Sequence, residues 1–411
     1  MTLLIDPPNS PGHGRMWSHL ASDESFEELH RFASGLGIPT RGFDRDHYDI
    51  PAERYDAVLS AGATQVSSRQ LIARLRGAGL RRRKSDMLLP RGPGRSLVRP
   101  ARLRVGDVVA VTSPAGPVTG SRLDAGLAVL EGWGLSVRPM LHTRGQHAEL
   151  SYLSSDDASR AADFMRAWCD PKVTAVFCAR GGYGVHRMVD LLDWAALAAA
   201  GPKVLVGFSD VTALHQAFSV RLGLSTIHGP VVTSLGAGDA ASREHLRRLL
   251  FDPSPGLTLT PSPGPSPTPS PVPSPGSLGA PGRAEGVLVG GNLALLAAEI
   301  GTPHSQPAAS SIAVLEDVSE ELYRVDRLLT QLLRAGWFDG VRGIALGQFT
   351  DCGSREGLGY LLRDRLAPLG VPILMDLAVG HTDGNLAFPL GVPAILDADA
   401  GTLVLRDPAL L

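Results

Sequence analysis

Cysteine is scarce in this chain of 411 residues: Cys169, Cys178 and Cys352 are all there are. An odd, scattered trio with no C-x-x-C spacing excludes a disulfide framework. Excess charge is missing too. Lysine and arginine number 39, aspartate and glutamate 41, and the formal net charge is −2. No nucleic-acid or anionic-membrane partner is therefore implied. No apolar run is long enough to span a bilayer. Met1 to Trp17 lacks the basic start and apolar core of a signal peptide. These absences lead to the expectation of a cytoplasmic protein of two or three domains.

What is present centres on Val204-Leu205-Val206-Gly207-Phe208-Ser209-Asp210-Val211-Thr212. The β-branched apolar run reads as a buried strand, and an amphipathic helical run follows through Phe218. A serine at such a turn has its hydroxyl thrust out from the sheet edge. Its own N–H and that of Asp210 face outward from a helix start, where developing negative charge is favoured. That is the geometry a serine nucleophile needs. Taken alone, Ser209 or Asp210 as an N-cap is the commoner use of these residue types. The pattern is not G-x-S-x-G, because Val211 stands where the second glycine would be, and this disfavours a standard α/β-hydrolase.

Taken in order, the chain opens with a region from Met1 to about Lys84. A strand is expected over Thr2–Asp6, and helices over Phe26–Leu36, Ile50–Leu59 and Ser67–Leu80. The region is rich in His13, His19, His30 and His47, with Asp6, Asp23, Asp46 and Asp49 nearby. Either a metal or catalytic site or simply satisfied polar groups would account for them, and no H-x-x-x-H spacing decides for a metal. Arg81-Arg82-Arg83-Lys84 then leads into a Gly/Pro/Arg-rich stretch that reads as a solvated linker. From Arg104 strands alternate with helices through Pro230, the sign of a doubly wound, largely parallel sheet whose strand ends form sites. Arg180-Gly-Gly-Tyr-Gly follows the strand Val173–Ala179. It could cradle phosphate, bring backbone N–H groups close to a reacting carbonyl, or be an ordinary turn. Phe251 to Arg283 is Pro/Ser/Gly-rich and is expected to be an extended or disordered spacer. Beyond it, Ser311–Leu315 reads as a strand delivering Glu316, Glu321–Ala335 as a helix, and Ala394–Arg406 as a terminal hairpin.

Ser209, Glu316 and His381 each fall at or just past the end of an expected strand. A serine hydroxyl needs a histidine base, and the histidine needs a carboxylate on its other nitrogen. Three such residues can be found in most chains, so order and motif must carry the rest. Arg180-Gly-Gly-Tyr-Gly, Gly207-Phe-Ser-Asp, Gly290-Gly-Asn-Leu, Leu315-Glu-Asp-Val-Ser-Glu-Glu-Leu-Tyr-Arg-Val-Asp-Arg and Gly380-His381 occur in the order seen in the LD-carboxypeptidase family, the S66 serine peptidases. The resemblance covers roughly residues 100 to 411. Trp17-Ser-His-Leu and His47-Tyr-Asp-Ile-Pro resemble the signature of DUF4031, a small bacterial domain of unknown function.

The resemblance implies an α/β protein: a flavodoxin-like parallel-sheet domain over 101–250 and a C-terminal β-rich domain over 284–411. A linker over 84–100 and a small α/β domain over 1–83 precede them, and the disordered linker spans 251–283. It implies Ser209 as nucleophile, His381 as base and Glu316 as acid, with Glu320 and Glu321 as rivals for the last role. The backbone N–H groups of Gly182 and Asp210 would form the oxyanion hole. No metal or cofactor is implied. The expected substrate is a murein tetrapeptide that loses its terminal D-alanine. A microcin C-type self-immunity peptidase, acting on peptide- or aminoacyl-nucleotides, is the alternative enzyme, and a non-catalytic ligand-binding protein the alternative outside enzymes. Between Phe251 and Trp337 the only aromatic residue is Tyr323, which weighs against a nucleotide-gripping site. Arg327 is expected to form surface ion pairs. Dimers are common in the family, so a homodimer is allowed, although no motif here shows one.

Overall fold

The computed structural model describes residues 3–12, 14–39, 42–44, 46–78, 80–81, 94–262 and 279–411. The chain divides into two compact units, Met1–Met87 and Leu88–Leu411.

The smaller unit is a six-stranded sheet around the strand Arg15–Ser22. That strand pairs antiparallel with Leu3–Ile5 on one side and His47–Pro51 on the other. Strand alternation sends Ile5, Leu20, Tyr48 and Ile50 to one face, against Leu29 and Ala33 of the helix Phe26–Gly35. Leu4 and Ala21 point to the other face, beneath Leu71 and Leu75 of the helix Ser68–Gly77. A capping box between Ser67 and Gln70 starts that helix. The helix expected from Ile50 begins only at Tyr55, because Ile50 and Pro51 complete a strand. Of the basic run, Arg81 pairs with buried Asp46 at 2.9 Å, and Arg82 to Lys84 lie outside the described residues. So does His13.

In the larger unit the first sheet has six strands. Their order is Phe388–Leu390, Thr226–His228, Val204–Gly207, Val173–Cys178, Val108–Thr112 and Ser136–Pro139. The last five are mutually parallel, and Phe388–Leu390 adds antiparallel to the edge from far along the chain. The second sheet has seven strands, in the order Thr258–Leu259, Thr402–Leu405, Pro393–Asp397, Arg283–Asn292, Ser311–Val318, Gly343–Thr350 and Ile373–Leu374. Its last four strands run parallel and its hairpin end antiparallel. One hydrophobic cluster contains Val109, Phe177, Val206 and Ile227 of the first sheet and Leu288, Ile312, Val314 and Leu396 of the second. The two halves therefore share a core.

Strand, helix and buried positions reach further into the two linkers than composition predicts. Phe251 closes the helix Ala240–Phe251, Leu259 is fully buried in a strand, and Arg283 opens another. Residues 263–278 of the Pro/Ser run lie outside the described residues. In the first linker Leu97 is buried, and its N–H donates to the Gly391 carbonyl at 2.9 Å.

Packing of two helices, Gly120–Gly132 and Val232–Leu235, depends on one close approach. In the helix Gly120–Gly132, a Cβ on Gly126 would lie 1.9 Å from the Val232 carbonyl oxygen. Alanine is the better helix former by about 1 kcal/mol, but the clash is with backbone and cannot be relieved by a rotamer. Gly126→Ala is therefore expected to lower stability by about 2 kcal/mol in urea unfolding. A gain in stability would show that this helix does not seat as described.

Candidate active site

The strand Val204–Gly207 is wholly buried, as a central parallel strand of β-branched residues should be. At its carboxyl end Phe208 is still extended, and Ser209 then turns to φ 64°. A non-glycine residue in the left-handed region is uncommon and strained. Two glycines make room for it. A Cβ on Gly207 would come 2.9 Å from a Val211 methyl and 3.1 Å from Cys178 Cβ. A Cβ on Gly181 would come 2.9 Å from Ser209 Cβ and 3.0 Å from its Oγ. The glycine facing the serine thus comes from the Arg180-Gly-Gly-Tyr-Gly loop, and position 211 is free to be a buried valine.

Glu316 lies inside the strand Ser311–Val318 rather than past its end. The pairing with Gly343–Thr350 shifts register between Leu315 and Asp317: Gly347 and Gln348 stand opposite Glu316 alone, so the bulge lies beside the acid, on the neighbouring strand. Its carboxylate is buried. Gly380, at φ 106°, passes so close that a Cβ there would be 2.6 Å from Oε2. The Gly380 N–H donates to Asn385 Oδ1 at 3.0 Å, and Thr350 Oγ1 donates to the His381 carbonyl at 2.5 Å. These bonds fix the loop that carries the imidazole. His381 Nδ1 is 2.8 Å from Glu316 Oε2, and Nε2 is 3.1 Å from Ser209 Oγ.

Burial opposes charge on Glu316, yet His228 and His381, facing its two oxygens, hold its pKa at about 2. His228 Nε2 stands 3.9 Å from Oε1, an electrostatic contact rather than a hydrogen bond. Glu316 is thus ionised at neutral pH and accepts from Nδ1–H, which leaves Nε2 as the basic nitrogen toward Ser209. Glu320 instead pairs with Arg324 at 3.8 Å, and Glu321 stands at the N-cap position of the helix Leu322–Arg334. Arg327 lies over the Tyr323 ring at 5.4 Å, a cation–π contact where surface ion pairing was expected.

The Asp210 side chain turns away from the serine. Oδ2 accepts the Val185 N–H at 2.8 Å, and burial pushes the carboxyl up to about 6. Gly182 follows Gly181 at φ 112°, and the loop is tied down by Gly116 N–H donating to the Gly181 carbonyl at 3.1 Å. Gly290-Gly-Asn-Leu packs under the serine's helix: a Cβ on Gly291 would come 2.6 Å from Thr212 Oγ1, and the Asn292 N–H donates to that oxygen at 3.1 Å.

Three contributors were not singled out from sequence. His228 is fully buried, stacked on Phe388 at 4.7 Å and beside Phe208. A lone histidine in the apolar run Thr226–His228 was the available signal. His215 donates from Nε2 to the Gly207 carbonyl at 2.9 Å, and burial pulls its pKa down to about 3, so it stays neutral. Asn385 is visible only through its bond to Gly380. Beside Phe208 and Thr382 opens a cavity of about 250 Å³ whose lining includes Arg122, Arg243, Asp239 and Asp383.

Comparison with known proteins matches residues 109–229 to the LD-carboxypeptidase N-terminal domain and 285–396 to the LD-carboxypeptidase C-terminal domain. Residues 3–78 match DUF4031, a protein family of unknown function. A Streptomyces coelicolor chain named as a carboxypeptidase is 54% identical over 318 residues, 77% of this chain and 98% of that one. The murein tetrapeptide carboxypeptidase of Pseudomonas aeruginosa is 38% identical over 298 residues, 71% of this chain and 93% of that one. The crystal structure of muramoyltetrapeptide carboxypeptidase from Oxalobacter formigenes superposes with a TM-score of 0.61 at 28% identity, over 72% of this chain and 97% of that one. With its serine, histidine and glutamate brought together from three distant segments, the chain belongs to the LD-carboxypeptidase family of serine peptidases.

Proposed function

We propose that the chain releases the terminal D-alanine from murein tetrapeptide, with Ser209 as nucleophile, His381 as general base and acid, and Glu316 as its orienting carboxylate. The observation that carries this reading is the single imidazole bonded to Glu316 on one nitrogen and Ser209 on the other. As Oγ attacks the carbonyl of the amide before D-alanine, its proton passes to His381 Nε2. Glu316 stabilises the resulting cation. The carbonyl oxygen, now negative, takes hydrogen bonds from the backbone N–H groups of Asp210 and Gly182. The C–N bond then breaks, His381 returns the proton to the leaving amine, and an acyl-enzyme remains. Water attacks the ester, losing a proton to His381, and Ser209 leaves as the hydroxyl.

The neighbouring cavity supports the substrate class. It carries both arginine and aspartate, which suits a peptide bearing carboxylates and a diamino-acid amine. Three free thiols fit a reducing compartment, in line with a cytoplasmic enzyme acting on recycled cell-wall peptide. The self-immunity alternative has less behind it, since Tyr323 is 58% exposed and stands alone in its segment.

The test is D-alanine release from murein tetrapeptide by purified protein. Ser209→Ala should stay folded and lose turnover on the order of a million-fold. Folded wild-type protein that releases no D-alanine would overturn the substrate assignment, and a Ser209→Ala variant with wild-type turnover would overturn the nucleophile.

Glu316→Gln should lose about 10⁴-fold in kcat, because the amide fixes neither the tautomer nor the cation. The same variant has a pH signature. The folded pKa of Glu316, about 2, lies below its ordinary value of 4.5. Its ionisation therefore contributes stability that is fully present above pH 4.5 and is lost as pH falls toward 2. The gap in melting temperature between wild type and Glu316→Gln should shrink over that window. A gap that stays constant would show that the carboxylate is not held ionised.

A further inference from the structure

In the Met1–Met87 unit the sheet register assembles a second constellation. His19 on Arg15–Ser22 lies directly opposite Asp49 on His47–Pro51. His47, two residues before Asp49, projects to the same face. Donor atoms of His19, His47 and Asp49 lie within 4.8 Å of one another, the one such cluster among the described residues. The two imidazole rings are 4.9 Å apart, and His47 Nε2 is 3.4 Å from Asp49 Oδ1.

Each imidazole is held through its other nitrogen. His19 Nδ1 is 3.0 Å from Asp6 Oδ2, and His47 Nδ1 is 2.7 Å from Asp46 Oδ1. Both of these carboxylates are buried, at 1% and 0% exposure. Asp6 follows the strand Leu3–Ile5, so Asp6, His19 and Asp49 form a row across three strands. Asp6 also accepts the His19 backbone N–H at 2.6 Å, and Arg81 reaches both oxygens of Asp46 at 3.0 and 2.9 Å. A carboxylate that accepts from Nδ1–H leaves the Nε2 lone pair free to point into the cluster. Burying two aspartates behind a buried histidine, His47, and a partly exposed one, His19, is costly for stability alone. It is how metal-bound histidines are oriented and made more basic.

We propose that His19, His47 and Asp49 bind a divalent first-row transition ion through two imidazole Nε2 atoms and one carboxylate oxygen, with Asp6 and Asp46 as positioning residues. Two nitrogens and one hard oxygen suit zinc, iron(II), cobalt(II) or manganese(II) rather than calcium or magnesium. Ligand atoms around one such ion are about 3.0–3.5 Å apart, which small side-chain rotations reach from the observed spacing. The outer side is open, with the side chains of His19 at 27% and Asp49 at 43% exposure. Three protein ligands then leave positions for water or a substrate oxygen, as in catalytic rather than closed structural sites. The rival occupant is a proton: a protonated His47 would bridge Asp46 and Asp49 as an ion pair.

The test uses the full chain, stripped with chelator and titrated with Co²⁺ and then Zn²⁺. One equivalent should bind with a Kd of about 10 µM or tighter, and Co²⁺ should show visible ligand-field bands. Asp49→Asn, isosteric and half-exposed, should weaken binding at least 100-fold, as should His47→Ala. Asp6→Asn leaves the ligands in place and should weaken it by about 10- to 100-fold. Ser209→Ala should bind as wild type does. Failure of folded wild-type protein to bind stoichiometrically, or binding that survives the double substitution His19→Ala with His47→Ala, would overturn the proposal and leave an ion-pair network. Neither result bears on D-alanine release.

Discussion

The larger unit depends on holding one imidazole between two oxygens supplied by segments far apart in the chain. His381 is separated from Glu316 by 65 positions and from Ser209 by 172. No local preference could bring them together. What does so is close backbone approach, permitted wherever a side chain has been removed. Gly181 faces Ser209, Gly207 backs onto Val211, Gly291 lies on Thr212, and Gly380 lies on the Glu316 carboxylate. Each is tight enough that a methyl group would displace either the nucleophile, its helix or the acid. The motif glycines are therefore steric requirements of one crowded point, and the strained φ of Ser209 is sustained by the same packing.

Burial alone does not set the charge at this point. Glu316, Asp210 and Asp317 are all nearly inaccessible, and burial disfavours the anion in each. Asp210 accepts a backbone N–H, and Asp317 accepts from Val318, Asn292 and Ala294, yet both are pushed up to about 6. Glu316, which also adds to the burden on Asp317, has histidines at both oxygens and is held at about 2. Placing His228 behind Glu316, with His215 kept neutral nearby, lets the acid remain a pure acceptor while its neighbours serve as structural caps.

Long periodic segments were legible because they answer to local physics. The helix Leu322–Arg334 and the strands Val173–Cys178 and Val204–Gly207 could be read from apolar spacing alone. The short helix Trp194–Ala200 and the helix Ala240–Phe251 were not read, the first for its run of alanines and the second for its charge. Phe388–Leu390 could not be placed either, since its partner Thr226–His228 belongs to the other half. The three residues at His381 were reached through motif order, because their meeting is tertiary. Glu316 does not end its strand as apolar spacing suggests: the strand runs on to Val318, because Glu316 stays in register with Asn292 while the irregularity falls on the neighbouring strand.

The same limit explains why the histidines of the smaller unit stayed ambiguous in sequence. Metal motifs are recognised by helical spacing such as H-x-x-x-H, which puts two ligands on one helix face. A sheet uses a different rule: i and i+2 on one strand share a face, and the cross-strand partner completes the set. His47 and Asp49 obey the first half of that rule openly. The second half, His19 opposite Asp49, requires the register, and the register is set by Leu20, Tyr48 and Ile50 turning to the core on the opposite face. A one-residue slip would bury His19 in that core and expose Leu20. The apolar pattern that folds this unit is therefore also what brings its two imidazoles and their carboxylates into one row, and that coupling makes the cluster testable by substitutions that leave the core untouched.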